Sequence, residues 1–182
     1  MKPIKPMTPP TPMNRLTAFY LGSHPDDRGR LLAQILKQDD LWLELTHDCI
    51  QWLFPLAEPS RVNPGAPLVD AATAEAFRHD ELLRRHLMAS YLRLLAFYGL
   101  RRRAEGGVVK GPNWDERKSG WFTDDSHNSL RITRILKCLM LLGLQDEARH
   151  FQRALDGLCV EEPDAGINPT SRAFWRQSVE GA

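Results

Sequence analysis

Two kinds of cluster in this chain have the residue types for chemistry: histidines beside a carboxylate or thiol, and arginines at helical spacing. His47-Asp48 and His79-Asp80 match the HD element of metal phosphohydrolases, but neither has a second partner at regular spacing, and two such pairs are unremarkable in a chain with 6 histidines. Cys49 follows His47 by two residues, which puts a nucleophile and its base on different faces of a helix, so a partner such as His127 would have to come from elsewhere. No GxSxG elbow and no P-loop occurs. The sequence therefore assigns no catalytic residue, and the expectation leans away from an enzyme. The 3 cysteines (Cys49, Cys138, Cys159) form no CxxC and no disulfide framework, so no metal and no cofactor is expected and a reducing cytosol is.

Arg131, Arg134 and Lys137 recur every three residues behind Ser126, His127 and Asn128. If that triplet opens a helix, its free N–H groups and positive field, with the arginines, could hold a phosphate or carboxylate. The competing reading pairs the arginines with the chain's own acids. Arg101-Arg102-Arg103 is the densest basic run and suits either RNA or an anionic surface, or a solvated helix end.

The elements that must position these residues are helical. Apolar residues at period 3.6 predict helices over 28–36, about 40–53, 70–77, 80–98, 126–142 and 145–158, with a short one over 171–179 docked by Phe174 and Trp175. Asp26 or Asp27 would cap the first. Trp42, Leu45, Cys49 and Trp52 form the stripe of the second, and Pro55 ends it. Gly99 and Gly143 stand where left-handed residues close helices. Residues 55–68 read as a stiff proline loop, 101–125 as a long irregular segment, and 1–13, with 5 prolines, as a proline-rich flexible arm. No alternating runs or hairpin signals stand out. The expected fold is all-α: a single domain over 14–180 of five to six main helices, joined by long proline-rich and polar loops.

Composition agrees with a globular chain. It has 182 residues, 42% of them hydrophobic and 26% charged, with 24 Lys plus Arg against 23 Asp plus Glu. A net charge of +1 gives no global attraction to nucleic acid, which is disfavoured as a partner. No apolar run is long enough for a membrane span and no secretory signal is visible, so the expectation is a soluble cytoplasmic protein.

Three strings go further: His47-Asp48-Cys49-Ile50-Gln51-Trp52-Leu53-Phe54-Pro55, Phe97-Tyr98-Gly99-Leu100, and Ser126-His127-Asn128-Ser129-Leu130-Arg131-Ile132-Thr133-Arg134-Ile135-Leu136. In order and spacing they resemble the conserved region of the opioid growth factor receptor family, over about residues 14–145. The resemblance implies a helical domain and, at family level, opioid growth factor receptor activity. The vertebrate member is described as a receptor for an enkephalin peptide, growth-inhibitory and associated with membranes and the nucleus. This chain departs from the pattern: Cys49 replaces an aromatic before Ile50-Gln51-Trp52, the family's long C-terminal extension is lacking, and its compact, arginine-rich character suggests a bacterial member. The peptide's identity does not carry over.

The strings admit two readings. As architecture, Trp52 and Phe54 anchor the proline loop beside Pro55, Gln51 bonds the loop backbone, Tyr98-Gly99 ends a helix, and Ser126-His127-Asn128 caps another. As a ligand site, His47, Gln51, His127, Asn128, Arg131 and Arg134 converge. The leading functional expectation is a peptide- or protein-binding module, betrayed by an exposed apolar groove. An enzyme or binder for a phosphate-containing, nucleotide-like ligand at His127, Arg131 and Arg134 would show a buried pocket. A nucleic-acid accessory protein would expose Trp114 or Trp121.

Overall fold

Aspartate and asparagine side chains start four of the described helices. Asn14 accepts from Leu16 N, Asp39 from Trp42 N, Asp70 from Thr73 N, and Asp80 from Leu82 N and Leu83 N. The computed structural model describes residues 14–124 and 126–180, so the proline-rich arm expected over 1–13 lies outside the described residues. These residues form α1 (Arg15–Tyr20), α2 (Leu32–Leu36), α3 (Asp40–Leu45), α4 (Ile50–Leu53) and α5 (Ala71–His79). α6 (Glu81–Phe97), α7 (Trp114–Arg117), α8 (Asn128–Leu141), α9 (Gln145–Glu161) and α10 (Pro169–Glu180) follow. The five helices of nine or more residues are the all-α scaffold expected from periodicity. None of the described helices is long and apolar enough to cross a membrane.

α1, α2 and α5 pack on α6, while α9 and α10 pack on α8. Both groups feed one hydrophobic cluster, in which Leu87, Tyr91 and Leu94 of α6 and Ile132, Ile135, Leu136 and Leu139 of α8 are all buried. Gly99 closes α6 at φ +74°, its N–H on Ala96 O, and a Cβ there would stand 2.9 Å from the Trp114 backbone.

Several expectations are corrected. The helix expected over 40–53 is two helices, because Thr46 is extended and side chains take the carbonyls a continuous helix would use. Leu45 is consequently 69% exposed and off the Cys49–Trp52 stripe. The helix expected from Arg28 starts at Leu32: Asp26 is buried and accepts from Arg28 N and Arg30 N in a turn, so it caps no helix. α1 lacks the length for a periodic signal. The segment expected to be irregular over 101–125 carries a hairpin and a short helix among its described residues. β1 (Leu100–Arg102) pairs antiparallel with β2 (Val108–Lys110), and Gly106 and Gly107, at φ +94° and +86°, make the turn. That glycine pair was the missed hairpin signal. Trp114, Trp121 and Phe122 then bury against Tyr98 and one another. In α10 Trp175 docks, with Nε1 on Ser129 O, and Val179 packs against the core, while Phe174 is half exposed.

Candidate functional site

The orphan carbonyls at helix C-termini dominate the site. Arg131 of α8 is buried at 6% exposure, and its guanidinium donates to Leu43 O at 3.0 Å and Glu44 O at 3.2 Å, the last turn of α3. In an unbroken helix those oxygens would accept from His47 N and Asp48 N. One turn on, Arg134 donates to Phe54 O at 2.9 Å, the C-cap of α4, and Tyr20 Oη donates to Leu53 O beside it. A cation at the negative end of each helix dipole is the favourable sign. The three-residue spacing of the arginines thus matches two successive short helices laid across α8. The same device recurs where Arg117 donates to Phe97 O and Arg78 to Leu141 O.

The arginines were expected to pair with the chain's own acids if structural. They pair with carbonyls instead, and among the described residues no carboxylate lies in ion-pair range of Arg131 or Arg134. Lys137 meets Glu58 on the surface. Gln51 was expected to bond the proline loop; with its amide nitrogen turned toward them it donates to His47 O and Asp48 O, holding the α3–α4 break. Trp52, Phe54 and Pro55 are buried, as anchors of the loop should be.

Arg131 also donates to His47 Nδ1 at 3.1 Å. A guanidinium only donates, so Nδ1 accepts and the ring making this contact carries its proton on Nε2. His127 packs edge-on against His47, ring centroids 5.0 Å apart, with its Nε2 3.2 Å from the Glu44 carboxylate. Burial, with the Arg131 charge, holds the His127 imidazole below its ordinary pKa despite Glu44. Asn128, fully buried, bridges Glu44 and Arg131. The open N-terminus expected to hold an anion is closed, since Asn128 N donates to Ser126 Oγ and Ser129 N to Ser126 O.

These placements leave an open cleft of about 410 Å³ between α8, α4 and the proline loop. His47, Gln51, His127, Arg131 and Arg134 line it, whereas Asn128 is buried and is not part of the lining. Sequence reasoning missed the apolar part: Ile50, with Leu130 and Val62, each 72% exposed. Leu130 had a legible signal, a leucine on the opposite side of α8 from Ile132, Ile135 and Leu139.

The other candidates disperse. Asp48 meets Arg28 and Arg30, and Asp80 caps α6, so both aspartates of the HD pairs are engaged. Burial pushes the Cys49 thiol up to about 11, which leaves it protonated and a poor nucleophile at neutral pH. Arg101–Arg103 is not a helix end: it forms β1 and the hairpin turn, and Arg102 clamps Glu147 at 2.7 Å. Trp114 and Trp121 are buried, so they cannot stack on bases.

A family model for the opioid growth factor receptor conserved region matches residues 19–167. Opioid growth factor receptor of Rattus norvegicus is 40% identical over 139 residues, covering 74% of this chain and 23% of the relative. That of Mus musculus is 42% identical over 122 residues, 66% of this chain and 18% of the relative. Opioid growth factor receptor-like protein 1 of Xenopus tropicalis is 35% identical over 133 residues, 70% of this chain and 26% of the relative. The chain thus spans about a quarter or less of these curated relatives. No solved structure matches.

Proposed function

The chain belongs to the opioid growth factor receptor conserved-region family, and from that premise we propose that it is a peptide- or protein-binding module acting at the His47–Arg134 cleft. One observation carries the reading: the cleft is open and largely apolar, with Leu130 and Val62 exposed beside Gln51 and the basic cluster. An apolar floor with a few convergent polar groups is the usual makeup of a ligand site. The names of the relatives, which describe receptors, support a peptide ligand. Opioid growth factor receptor activity is the family-level form of this function, and the opioid peptide itself is not carried over. Three buried free cysteines support a reducing, cytosolic setting.

The test is selection from a displayed random-peptide library, followed by amide-shift mapping of the selected peptides. The reading expects shifts at Ile50–Gln51, Ser60–Val62 and Leu130–Arg134, and loss of binding in Leu130→Glu with unchanged melting. Peptides that map elsewhere, or bind Leu130→Glu equally well, overturn it.

A further inference from the structure

Arg131 and Arg134 differ in what they still offer. Arg131 spends its guanidinium on Leu43 O, Glu44 O, His47 Nδ1 and Asn128 Oδ1, which makes it a positioning residue. Arg134 is half-buried and has one partner among the described residues, Phe54 O through Nη1. A guanidinium carries five N–H donors in a planar fork. Most of that fork therefore remains at the cleft edge, a cation with no carboxylate in ion-pair range among the described residues, Glu58 acting on it only from a distance. His47 faces the same cleft with its Nε2 proton unclaimed by any described residue.

Charge then selects the anion. Arg131 and Arg134 contribute two positive charges, and Glu44, bonded to His127 and Asn128, returns one negative charge. Lys137 pairs with Glu58, whose charge also reaches Arg134, so that these two side chains add no net charge. His127, held below its ordinary value, adds nothing at neutral pH. The net of one positive charge suits a monoanionic carboxylate and leaves a phosphate dianion half-compensated beside Glu44. The apolar wall of Leu130, Val62 and Ile50 adjoins that charge, so the anion should be attached to an apolar group.

We propose that the cleft captures the C-terminal carboxylate of a peptide whose last side chain is apolar, Arg134 forking the carboxylate and Leu130, Val62 and Ile50 enclosing the side chain. The proposal rests on the peptide-binding reading and narrows it. A carboxylate and a planar guanidinium form two parallel hydrogen bonds, and capture of chain termini is an established mode of peptide recognition. The cleft volume, about 410 Å³, admits one or two residues, so the contact is made by the chain end alone.

Isothermal titration and side-chain NMR of the Arg134 Nε–H group test it, with acetyl-Gly-Ala-Gly-Leu as free acid, the same peptide as C-terminal amide, and inorganic phosphate. The free acid should bind and shift that signal, and the amide should bind at least about tenfold more weakly, as loss of a charge-assisted pair requires. Arg134→Lys keeps a cation near Phe54 O but loses the fork, and should lose most of the preference for acid over amide. Leu130→Glu, on an exposed position, should abolish binding while the melting temperature stays put. Equal binding of acid and amide with shifts in the cleft overturns the carboxylate inference and leaves peptide binding standing. Peptide shifts confined to other surfaces, or no binding of either form, overturn both. Phosphate displacing the free acid stoichiometrically from Arg134 overturns the charge argument and returns the site to phosphate ligands.

Discussion

Arg131→Met keeps the aliphatic stem and removes only the guanidinium, so it withdraws the trans cap together with the donors to His47 Nδ1 and Asn128 Oδ1. Two carbonyls lose their donor: Leu43 O, whose bond is buried, and Glu44 O, whose bond is half-buried. A hydrogen bond to a charged group is worth about 1.5–3 kcal/mol. Counting Leu43 in full and Glu44 at roughly half, because water can reach it, gives a loss of about 2–4.5 kcal/mol from the two carbonyls. In urea, with a slope of about 2 kcal/mol per molar, the midpoint should fall by about 1–2 M at unchanged slope. Arg131→Lys, a point donor able to serve one carbonyl, should cost about half as much. Arg134→Met, with a single half-exposed carbonyl bond, should cost about 1 kcal/mol. The reasoning is refuted if Arg131→Met unfolds with the wild type or after it. One route to that result is α3 and α4 fusing, His47 and Asp48 N–H claiming the freed carbonyls, and hydrogen exchange at those two amides would reveal it.

Three further outcomes are expected. Trp52→Ala should cost about 3–5 kcal/mol, whereas Trp52→Phe should stay within about 1 kcal/mol of wild type, because the Nε1 of Trp52 is buried without a partner. Trp175→Phe, which removes a bond to Ser129 O, should cost more than Trp52→Phe, and the reverse order in urea midpoints would contradict both assignments. Gly99→Ala should lose more than the roughly 1–2 kcal/mol of a left-handed alanine, since its Cβ meets the Trp114 backbone; a melting temperature within a degree of wild type would show that α7 can move away. His127 titrates below its ordinary value in the folded protein, so the unfolded chain binds that proton more readily. Its contribution is complete above about pH 6.5 and falls as pH drops through the depressed folded value. The stability of wild type relative to His127→Gln should therefore fall between pH 7 and pH 5, and an unchanged or rising difference in paired denaturation curves would refute the assignment.

Period-3.6 stripes were enough for the sequence to determine the all-α class and α6, α8 and α9, because each buries a long apolar face, and to place the shorter α5 and α10, anchored by Phe77 and Trp175. The strings around Trp52, Gly99 and Arg131 determined the family. Gly99 and Gly143 marked helix ends through backbone conformation, which is local. The break at Thr46, the depth of Arg131 and the placing of His47 against His127 were not local. A side chain 87 or more residues away decides whether Leu43 and Glu44 give their carbonyls to their own helix or to a guanidinium. Val62, in the proline loop, was illegible as a surface for the same reason, since an apolar residue outside a periodic element is counted toward a core until the fold leaves it in water, whereas Leu130 stood on the wrong side of a readable helix.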